Sequence, residues 1–395
     1  MAKPRKAGRK ARGRVTTKRA KVSSKKRRPG VAPRTTLRPK QRPKRRAKKQ
    51  AAEAAVPAYL LAVELENVRC FGPRQRLNLA TSRGLPAPWT LIYGDNGSGK
   101  TTLLQAICSV ASTLQDSREV PSFIRYNWWP HRTPTKDALI SADVLMRPKK
   151  VATFKVRFPK RARNVMPAPI WDFNGGGTMQ YFGYGASRRH GNEADSGRKP
   201  VESSGDESLF IDDAQLLNAE EWFLQMSHFG PSRKKLREAR AAERVREFLK
   251  SVLLDIAAIR IGTRDGHSVV EFKTPYGWVP MRDLSVGYRT LIAWLVDFTR
   301  RMQVVYSQSS APLAQPAVVC IDEIDLHLHQ RWQRTVMKFL SDLFPKVQFI
   351  ATAHSRQVLQ NAPRGTNLVL LRRTKDYAVI HHDADELLEG RAVDA

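Results

Sequence analysis

A short glycine-rich segment has the residue types and spacing of a loop that holds phosphate groups. Residues 94–101 read Gly-Asp-Asn-Gly-Ser-Gly-Lys-Thr, which matches the pattern G-x-x-x-x-G-K-[ST] at every fixed position. Glycines let backbone N–H groups surround phosphate oxygens, and the positive end of a following helix points at the same anion. Lys100 would supply charge to the β- and γ-phosphates, and the Thr101 hydroxyl would bind Mg²⁺. We therefore predict a site for ATP and Mg²⁺ with contacts from Gly94, Asp95, Asn96, Gly97, Ser98, Gly99, Lys100, Thr101 and Thr102.

Two acidic residues directly follow a short apolar run later in the chain. The run Val-Val-Cys-Ile at 318–321 predicts a buried strand, and Asp322 and Glu323 come after it. A carboxylate at the carboxyl end of a strand, beside a phosphate loop, can hold Mg²⁺ through water, and this is the role predicted for Asp322. Glu323 can orient and deprotonate an attacking water molecule. The alternative is an ordinary strand end with a capping acid, which the upstream phosphate loop disfavours.

Two weaker signals lie on either side of this strand. Ser285 precedes a predicted helix, and its simplest interpretation is an N-cap. The sharper interpretation is a signature in which Ser285 and Gly287 bind a γ-phosphate from the start of that helix. His354 follows a second buried run, where it is either an ordinary loop histidine or a residue that reaches the γ-phosphate.

The apolar patterns predict the elements that must position these residues. Apolar strands alternate with helices in the second half of the chain, which favours a mainly parallel sheet covered on both faces. A strand before the phosphate loop and a helix after it also disfavour a glycine turn without chemistry. The predicted strands are Leu60–Leu65, Arg76–Leu79, Trp89–Tyr93, Asp143–Leu145, Val151–Phe158, Met179–Tyr184, Ala317–Ile321, Val347–Thr352, Leu368–Leu371, Tyr377–Ile380 and a hairpin of Val269–Phe272 with Trp278–Met281; the predicted helices are Thr101–Ala111, Ala214–Ser227, Lys234–Ala258, Gly287–Tyr306 and Arg331–Leu343.

These motifs, in this order, resemble the ABC-type ATPases of the SMC and RecF group. Residues 66–71 read Glu-Asn-Val-Arg-Cys-Phe, which is similar to the N-F-R-S-F start of that group. Residues 322–329 are close to the DEP-x-LHLHP form of a prokaryotic AAA-labelled subfamily, and residues 184–188, Tyr-Gly-Ala-Ser-Arg, also resemble a segment of it. That subfamily includes OLD ATPases and the ATPase subunits of Septu-, PARIS- and retron-linked phage defence systems. Ile324 and Gln330 replace the usual prolines, and neither change removes a ligand.

The resemblance implies an α/β fold, a P-loop NTPase of the ABC-ATPase type. It would have a mostly parallel sheet flanked by helices, an antiparallel β lobe and a helical insertion. The ATPase domain would span 58–395, with the inserted lobe at about 112–280. Arg69 would contact the nucleotide, and Gln180 is a weak candidate for the glutamine of the family's Q-loop. Two copies would face each other head to head, with the phosphate loop, Asp322, Glu323 and His354 from one copy and Ser285 and Gly287 from the other.

The resemblance also implies a nucleotide-switched ATPase in antiviral defence or DNA maintenance that controls a separate effector, such as a nuclease or toxin. A RecF-like repair ATPase, a slow ATPase on a DNA-binding scaffold and, less well supported, a transporter subunit remain as alternatives. No effector domain is expected within the chain, because the insertion lacks sustained heptads and the stretch after His354 is too short for a TOPRIM nuclease. A metal bound by His327 and His329 is a minor alternative.

The positive charge is concentrated at the start of the chain. The formal net charge is +33, and the first 50 residues hold 23 Lys and Arg with no Asp or Glu. We expect 1–57 to be a disordered leader that binds nucleic acid without sequence preference. A solubilising tail and attraction to acidic membrane are the alternatives. Three scattered cysteines and the absence of a long apolar run predict a cytoplasmic protein that does not span a membrane, with association to the nucleoid as an option.

Overall fold

The computed structural model describes residues 57–114, 120–147, 150–160, 170–172, 179–190, 205–227, 240, 243–247, 249–250, 253 and 255–382. The predicted leader lies outside these residues except for Pro57, as does much of the predicted helix Lys234–Ala258. No helix in the described part of the chain is both long enough and apolar enough to cross a lipid bilayer.

Strands and helices follow one another along these residues in the order expected of a mixed α/β chain. The strands are β1 (Tyr59–Glu66), β2 (Gln75–Asn78), β3 (Trp89–Gly94), β4 (Ala138–Arg147), β5 (Lys150–Phe158), β6 (Ile170–Asp172), β7 (Tyr181–Tyr184), β8 (Arg189–His190), β9 (Gln215–Leu216), β10 (Ala258–Arg264), β11 (His267–Thr274), β12 (Gly277–Pro280), β13 (Ala317–Ile321), β14 (Val347–Ala353), β15 (Asn367–Arg373) and β16 (Ala378–His381). The helices are α1 (Lys100–Ser112), α2 (Ser122–Arg125), α3 (Glu207–Phe210), α4 (Ala219–Ser227), α5 (Val286–Val305), α6 (Gln330–Gln333), α7 (Val336–Leu343) and α8 (Arg356–Gln360).

The central sheet is mainly parallel, as predicted. Its strand order is β16-β15-β3-β14-β13-β7, and every neighbouring pair is parallel except β15 with β16. Every residue of β13 and β14 is buried, which explains why both strands are almost continuous apolar runs. Val319 packs in the cluster that contains Trp294 of α5, whereas Val318 packs in the cluster that contains Leu104 of α1. The sheet is therefore covered on both faces.

An antiparallel sheet with the order β2-β1-β4-β5-β6 lies next to the central sheet. The buried side chain of Gln348, in β14, joins the two. Its amide nitrogen donates to the carbonyl of Leu60 at 2.8 Å, and its amide oxygen accepts from the Leu60 N–H at 2.9 Å. This side chain satisfies backbone groups of β1 that would otherwise be buried without a partner. This five-stranded sheet is the antiparallel β lobe that the resemblance implied.

The short elements β6, β8, α2, α3 and α8 were not predicted, and three further differences from the predicted elements have a clear physical reason. Strand β10 was not predicted, because its single buried isoleucine, Ile259, carries too weak an alternation, and pairing with β11 makes the strand. The predicted helix Ala214–Ser227 begins only at Ala219, after the short strand β9. The predicted helix Arg331–Leu343 is interrupted at Thr335, whose hydroxyl donates to the carbonyl of Arg331 at 3.2 Å and competes with the helical hydrogen bonds.

Candidate nucleotide-binding site

The glycine-rich segment forms the loop between β3 and α1. Gly97 and Gly99 have positive φ angles of 75° and 99°, which side chains rarely adopt, and a Cβ on Gly99 would overlap the sulfur of Cys70. The Lys100 ammonium donates to the carbonyls of Gly94 at 2.7 Å and Asp95 at 2.9 Å. Burial lowers the pKa of this ammonium, and nearby carboxylates, first that of Asp322, oppose the shift. The loop thus has the shape and charge that a phosphate group requires.

The side chains of Thr101 and Asp322 meet at the carboxyl edge of the central sheet. The Thr101 hydroxyl donates to Oδ2 of Asp322 at 2.6 Å, and the hydroxyl of Thr352 donates to Oδ1 at 2.6 Å. Asp322 is 3% exposed, so its carboxylate is held from both sides in a buried position. Strands β13 and β14 are parallel neighbours, which places Asp322 and Thr352 at the same edge. Sequence reasoning did not assign Thr352.

The residues fit Mg²⁺ and a nucleotide phosphate. A hydroxyl and a carboxylate are oxygen ligands, and Mg²⁺ is usually held by one or two such protein groups together with substrate phosphates. The hydroxyl of Ser98 is buried in the loop without a hydrogen-bond partner, which leaves it free to contact a phosphate oxygen. No group of three or more His, Cys, Asp and Glu side chains in the described ranges could hold a metal ion alone. His329, one of the two histidines considered above as metal ligands, caps α6, since its Nδ1 accepts from the Arg331 N–H at 3.4 Å.

Glu323 and His354 lie side by side beyond the two strand ends. Nε2 of His354 is 3.4 Å from Oε1 of Glu323. The backbone of Glu323 has a positive φ of 49°, and its N–H donates to the Thr352 hydroxyl at 2.7 Å. Oδ2 of Asp325 accepts from the N–H groups of His354 at 3.0 Å and Ser355 at 2.6 Å, which anchors the turn that carries the histidine. No role was predicted for Asp325 from the sequence, where its position two residues after the acid pair was the feature that could have indicated one.

The segment that contains Arg69 packs against the phosphate loop. The sulfur of Cys70 lies where a side chain on Gly99 would be, and the guanidinium of Arg69 stacks over the ring of Trp128 at 5.0 Å. Burial lowers the pKa of Arg69 and raises that of the Cys70 thiol. The structure therefore brings this segment to the site, through Cys70 and with Arg69 next to it.

The predicted signature lies at the start of α5. The Ser285 hydroxyl accepts from the N–H of Tyr288 at 3.4 Å, so Ser285 is an N-cap, as the simplest interpretation held. Gly287 packs so closely on the backbone of His327 that a Cβ would overlap its carbonyl oxygen. Val286, between them, is 51% exposed. The start of α5 is thus presented at the surface, where a second molecule can reach it.

The structure does not bring Gln180 to this site. Tyr181 pairs with Val318 at the amino-terminal end of β13, and the Val318 N–H donates to the carbonyl of Gln180 at 2.8 Å. Gln180 is therefore level with Ala317 and lies at the edge opposite Asp322, roughly 16 Å along the strand at about 3.3 Å per residue. The weak Q-loop assignment of Gln180 was wrong.

Comparison with known proteins agrees with this geometry. Residues 188–360 match a family model described as "AAA domain, putative AbiEii toxin, Type IV TA system", and residues 62–158 match a second described as "AAA domain". The two matches together contain the phosphate loop, the signature, the acid pair and His354. Both matched family models are AAA domains, and the structure has a mainly parallel sheet flanked by helices together with an antiparallel sheet, so the predicted α/β P-loop fold class is confirmed.

The chain is also similar to individual proteins. The chain is 27% identical over 325 residues to "Septu protein PtuA" of Bacillus mycoides (strain KBAB4), covering 82% of this chain and 42% of that protein. It is 36% identical over 115 residues to "Retron Vc95 probable ATPase" of Vibrio cholerae, covering 29% of this chain and 22% of that protein. A solved SMC head bound to the C-terminal winged-helix domain of ScpA aligns at a TM-score of 0.48 with 16% identity, covering 84% of this chain and 99% of that one. The chain thus spans less than half the length of these two relatives, and its resemblance to Septu and retron ATPases is confirmed.

Proposed function

We propose that this chain binds Mg-ATP at the loop 94–101 and hydrolyses it. The observation that carries the proposal is the contact between the Thr101 hydroxyl and the Asp322 carboxylate at 2.6 Å, beside the Lys100 ammonium. Thr101 and Asp322 would hold Mg²⁺, which neutralises charge on the phosphate oxygens. Lys100 and the loop N–H groups would bind the β- and γ-phosphates, with Ser98 as a further donor. Thr102, Asn96 and Arg69 would complete the nucleotide contacts.

Glu323 is proposed as the base for the attacking water. Its carboxylate follows the Mg²⁺ ligand directly and lies 3.4 Å from the His354 ring, so both side chains reach the same space beyond the strand ends. Glu323 would orient the water and accept its proton, and His354 would contact the γ-phosphate. Because the rate of phosphoryl transfer depends mainly on positioning and electrostatic stabilisation, small displacements of these groups would lower it strongly.

The working unit is proposed to be two copies that face each other. The support is the surface position of the start of α5, where Val286 is 51% exposed and the positive end of a 20-residue helix is available to a γ-phosphate. Ser285 and Gly287 of one copy would then complete the site of the other. ATP would join the copies, and hydrolysis would release them.

The biological role is proposed to be antiviral defence, with control of a separate effector such as a nuclease or toxin. The support is the similarity to proteins whose names refer to Septu and retron systems. A RecF-like role in DNA repair is the second candidate, and a transporter subunit is the least supported. The basic leader is proposed to bind nucleic acid, because its first 50 residues hold 23 positive side chains and no negative ones.

The test replaces Glu323 by Gln, which keeps the shape of the side chain and removes the base. Glu323→Gln should bind a fluorescent ATP analogue as the wild type does, release phosphate at least 100-fold more slowly and accumulate an ATP-bound dimer in light scattering. Lys100→Ala is the matched control, since it should lose nucleotide binding itself. Ser285→Arg should bind ATP in each copy and fail to dimerise. Phosphate release by Glu323→Gln near the wild-type rate would remove Glu323 from catalysis, and turnover that persists in monomeric Ser285→Arg would exclude the two-copy site.

A further inference from the structure

A buried guanidinium lies directly beneath the turn that carries the two acids. Arg188 is 2% exposed. Its Nη2 donates to the carbonyl of Asp322 at 2.8 Å and also to the carbonyl of Glu323, and its Nε donates to the carbonyl of Gly185 at 3.1 Å. Burial lowers the pKa of Arg188 to about 10, against the effect of the Asp322, Glu323 and Asp325 carboxylates. The side chain is therefore still a cation at neutral pH, and burying a cation is costly unless its hydrogen bonds are satisfied.

The turn that Arg188 holds has an unfavourable backbone conformation. Glu323 has a φ of 49°, in the left-handed region, which is unfavourable for a residue with a Cβ. Such a conformation persists only where several contacts impose it. On one side the Glu323 N–H donates to the Thr352 hydroxyl, and the Ile324 N–H donates to the Thr352 carbonyl at 2.9 Å. From the opposite side of the turn, Arg188 donates to the carbonyls of Asp322 and Glu323. These carbonyls belong to the two peptide groups that flank the Glu323 Cα, so Arg188 fixes the direction in which the Glu323 side chain leaves the backbone.

Arg188 is itself fixed by the segment 184–188. The carbonyl of Tyr184, the first residue of this segment, accepts from the backbone N–H of Asp322 at 2.8 Å. The Tyr184 hydroxyl donates to Oδ2 of Asp297 at 2.8 Å, and Asp297 belongs to α5, the helix that begins after Ser285. A Cβ on Gly185 would overlap the carbonyl oxygen of Ser208, so the chain has no room to shift there. The segment is thus a tight connection between α5 and the acid turn.

We infer that Arg188 is a positioning residue for Glu323, and that its bonds to the carbonyls of Asp322 and Glu323 hold the carboxylate at the angle needed to activate water. The inference rests on the proposed ATP hydrolysis. Arg188 donates its hydrogen bonds to the carbonyls of Gly185, Asp322 and Glu323, so it would act through the backbone of the acid turn. Its loss should therefore lower the rate of the chemical step and leave nucleotide binding nearly unchanged.

The experiment compares Arg188→Gln and Arg188→Lys with Arg264→Lys. Lysine keeps the charge but has a single nitrogen, so it cannot hold the Gly185 carbonyl and the two carbonyls of the acid turn at once in the fixed geometry of Nε and Nη2. Both Arg188 variants should lose about 10–100-fold in kcat, since a displacement of about 1 Å costs up to about 100-fold. Affinity for a fluorescent ATP analogue should stay within about threefold. Arg264, whose Nη2 donates to the Trp278 carbonyl at 2.9 Å on the sheet of β10, β11 and β12, should keep the wild-type kcat when changed to lysine.

A second arm asks whether Arg188 acts through Glu323. In the Glu323→Gln background, adding Arg188→Lys should reduce phosphate release no further, because the group it positions is already inactive. A wild-type kcat in Arg188→Lys overturns the inference, and so does a parallel loss of ATP affinity, which would make Arg188 a support of the whole site. If Arg188→Gln does not fold, Arg188→Lys alone decides. Absence of phosphate release by the wild type overturns the proposed function. Hydrolysis by Glu323→Gln at the wild-type rate removes Glu323 from catalysis and overturns the inference with it, whereas normal Arg188 variants beside an inactive Glu323→Gln overturn the inference alone.

Discussion

Replacing Thr352 by Val should destabilise the protein although the two side chains have nearly the same volume. The Thr352 hydroxyl is buried, donates to Asp322 at 2.6 Å and accepts from the Glu323 N–H at 2.7 Å. Valine would leave a carboxylate oxygen and a backbone N–H without these partners, and each such loss costs about 1–3 kcal/mol. The added methyl group returns about 0.8 kcal/mol of hydrophobic burial. We therefore expect Thr352→Val to lower the free energy of unfolding by about 3 kcal/mol, within a range of about 1–5 kcal/mol.

Urea unfolding followed by tryptophan fluorescence measures this difference, with Thr352→Ser as the matched control. Serine keeps the hydroxyl and loses one methyl group, which should cost about 1 kcal/mol. Valine should thus be the more damaging change, which is the reverse of the order expected if only apolar packing mattered. Thr352→Val should also slow phosphate release, because Thr352 and Arg188 hold the acid turn from opposite sides. Equal unfolding free energies for the two variants would refute the hydrogen-bonding role.

Two further predictions concern the phosphate loop and the leader. Gly97→Ala adds a methyl group to a residue with φ of 75° and no atom within 4 Å, so it should cost only backbone strain of about 1–2 kcal/mol. Gly99→Ala adds an overlap with Cys70, so it should lower both the melting temperature and ATP affinity more than Gly97→Ala does; the same loss in both variants would contradict the packing argument. Deletion of residues 1–50 removes 23 positive charges and should leave ATP binding intact. If a third of those charges contact phosphates, the slope of log affinity for duplex DNA against log salt should become shallower by about six or seven, and an unchanged slope would exclude the leader as the DNA contact.

Local patterns in the sequence were enough to predict most of the central sheet. Strand β13 has the predicted bounds Ala317–Ile321, and β3, α1 and α5 begin and end within a residue or two of the predicted positions. These elements are buried on one or two faces, so their apolar periodicity is strong. Strand β10 was missed because only one of its residues is buried, and its conformation depends on pairing with β11.

The sequence by itself determined which residue types the candidate site contains: a glycine loop with Lys100, an acid pair at a strand end and a histidine after the next strand. Only the tertiary structure decided how they meet, since Thr101 and Asp322 are 221 positions apart and are joined because two parallel strands end at one edge. The same holds for Arg188, which reaches the acid turn from 135 positions away, and for Gln180, which lies at the wrong edge. The physical reason is that a motif reports local backbone shape and side-chain chemistry. Strand order and direction, which spacing along the chain does not encode, decide which side chains share a site.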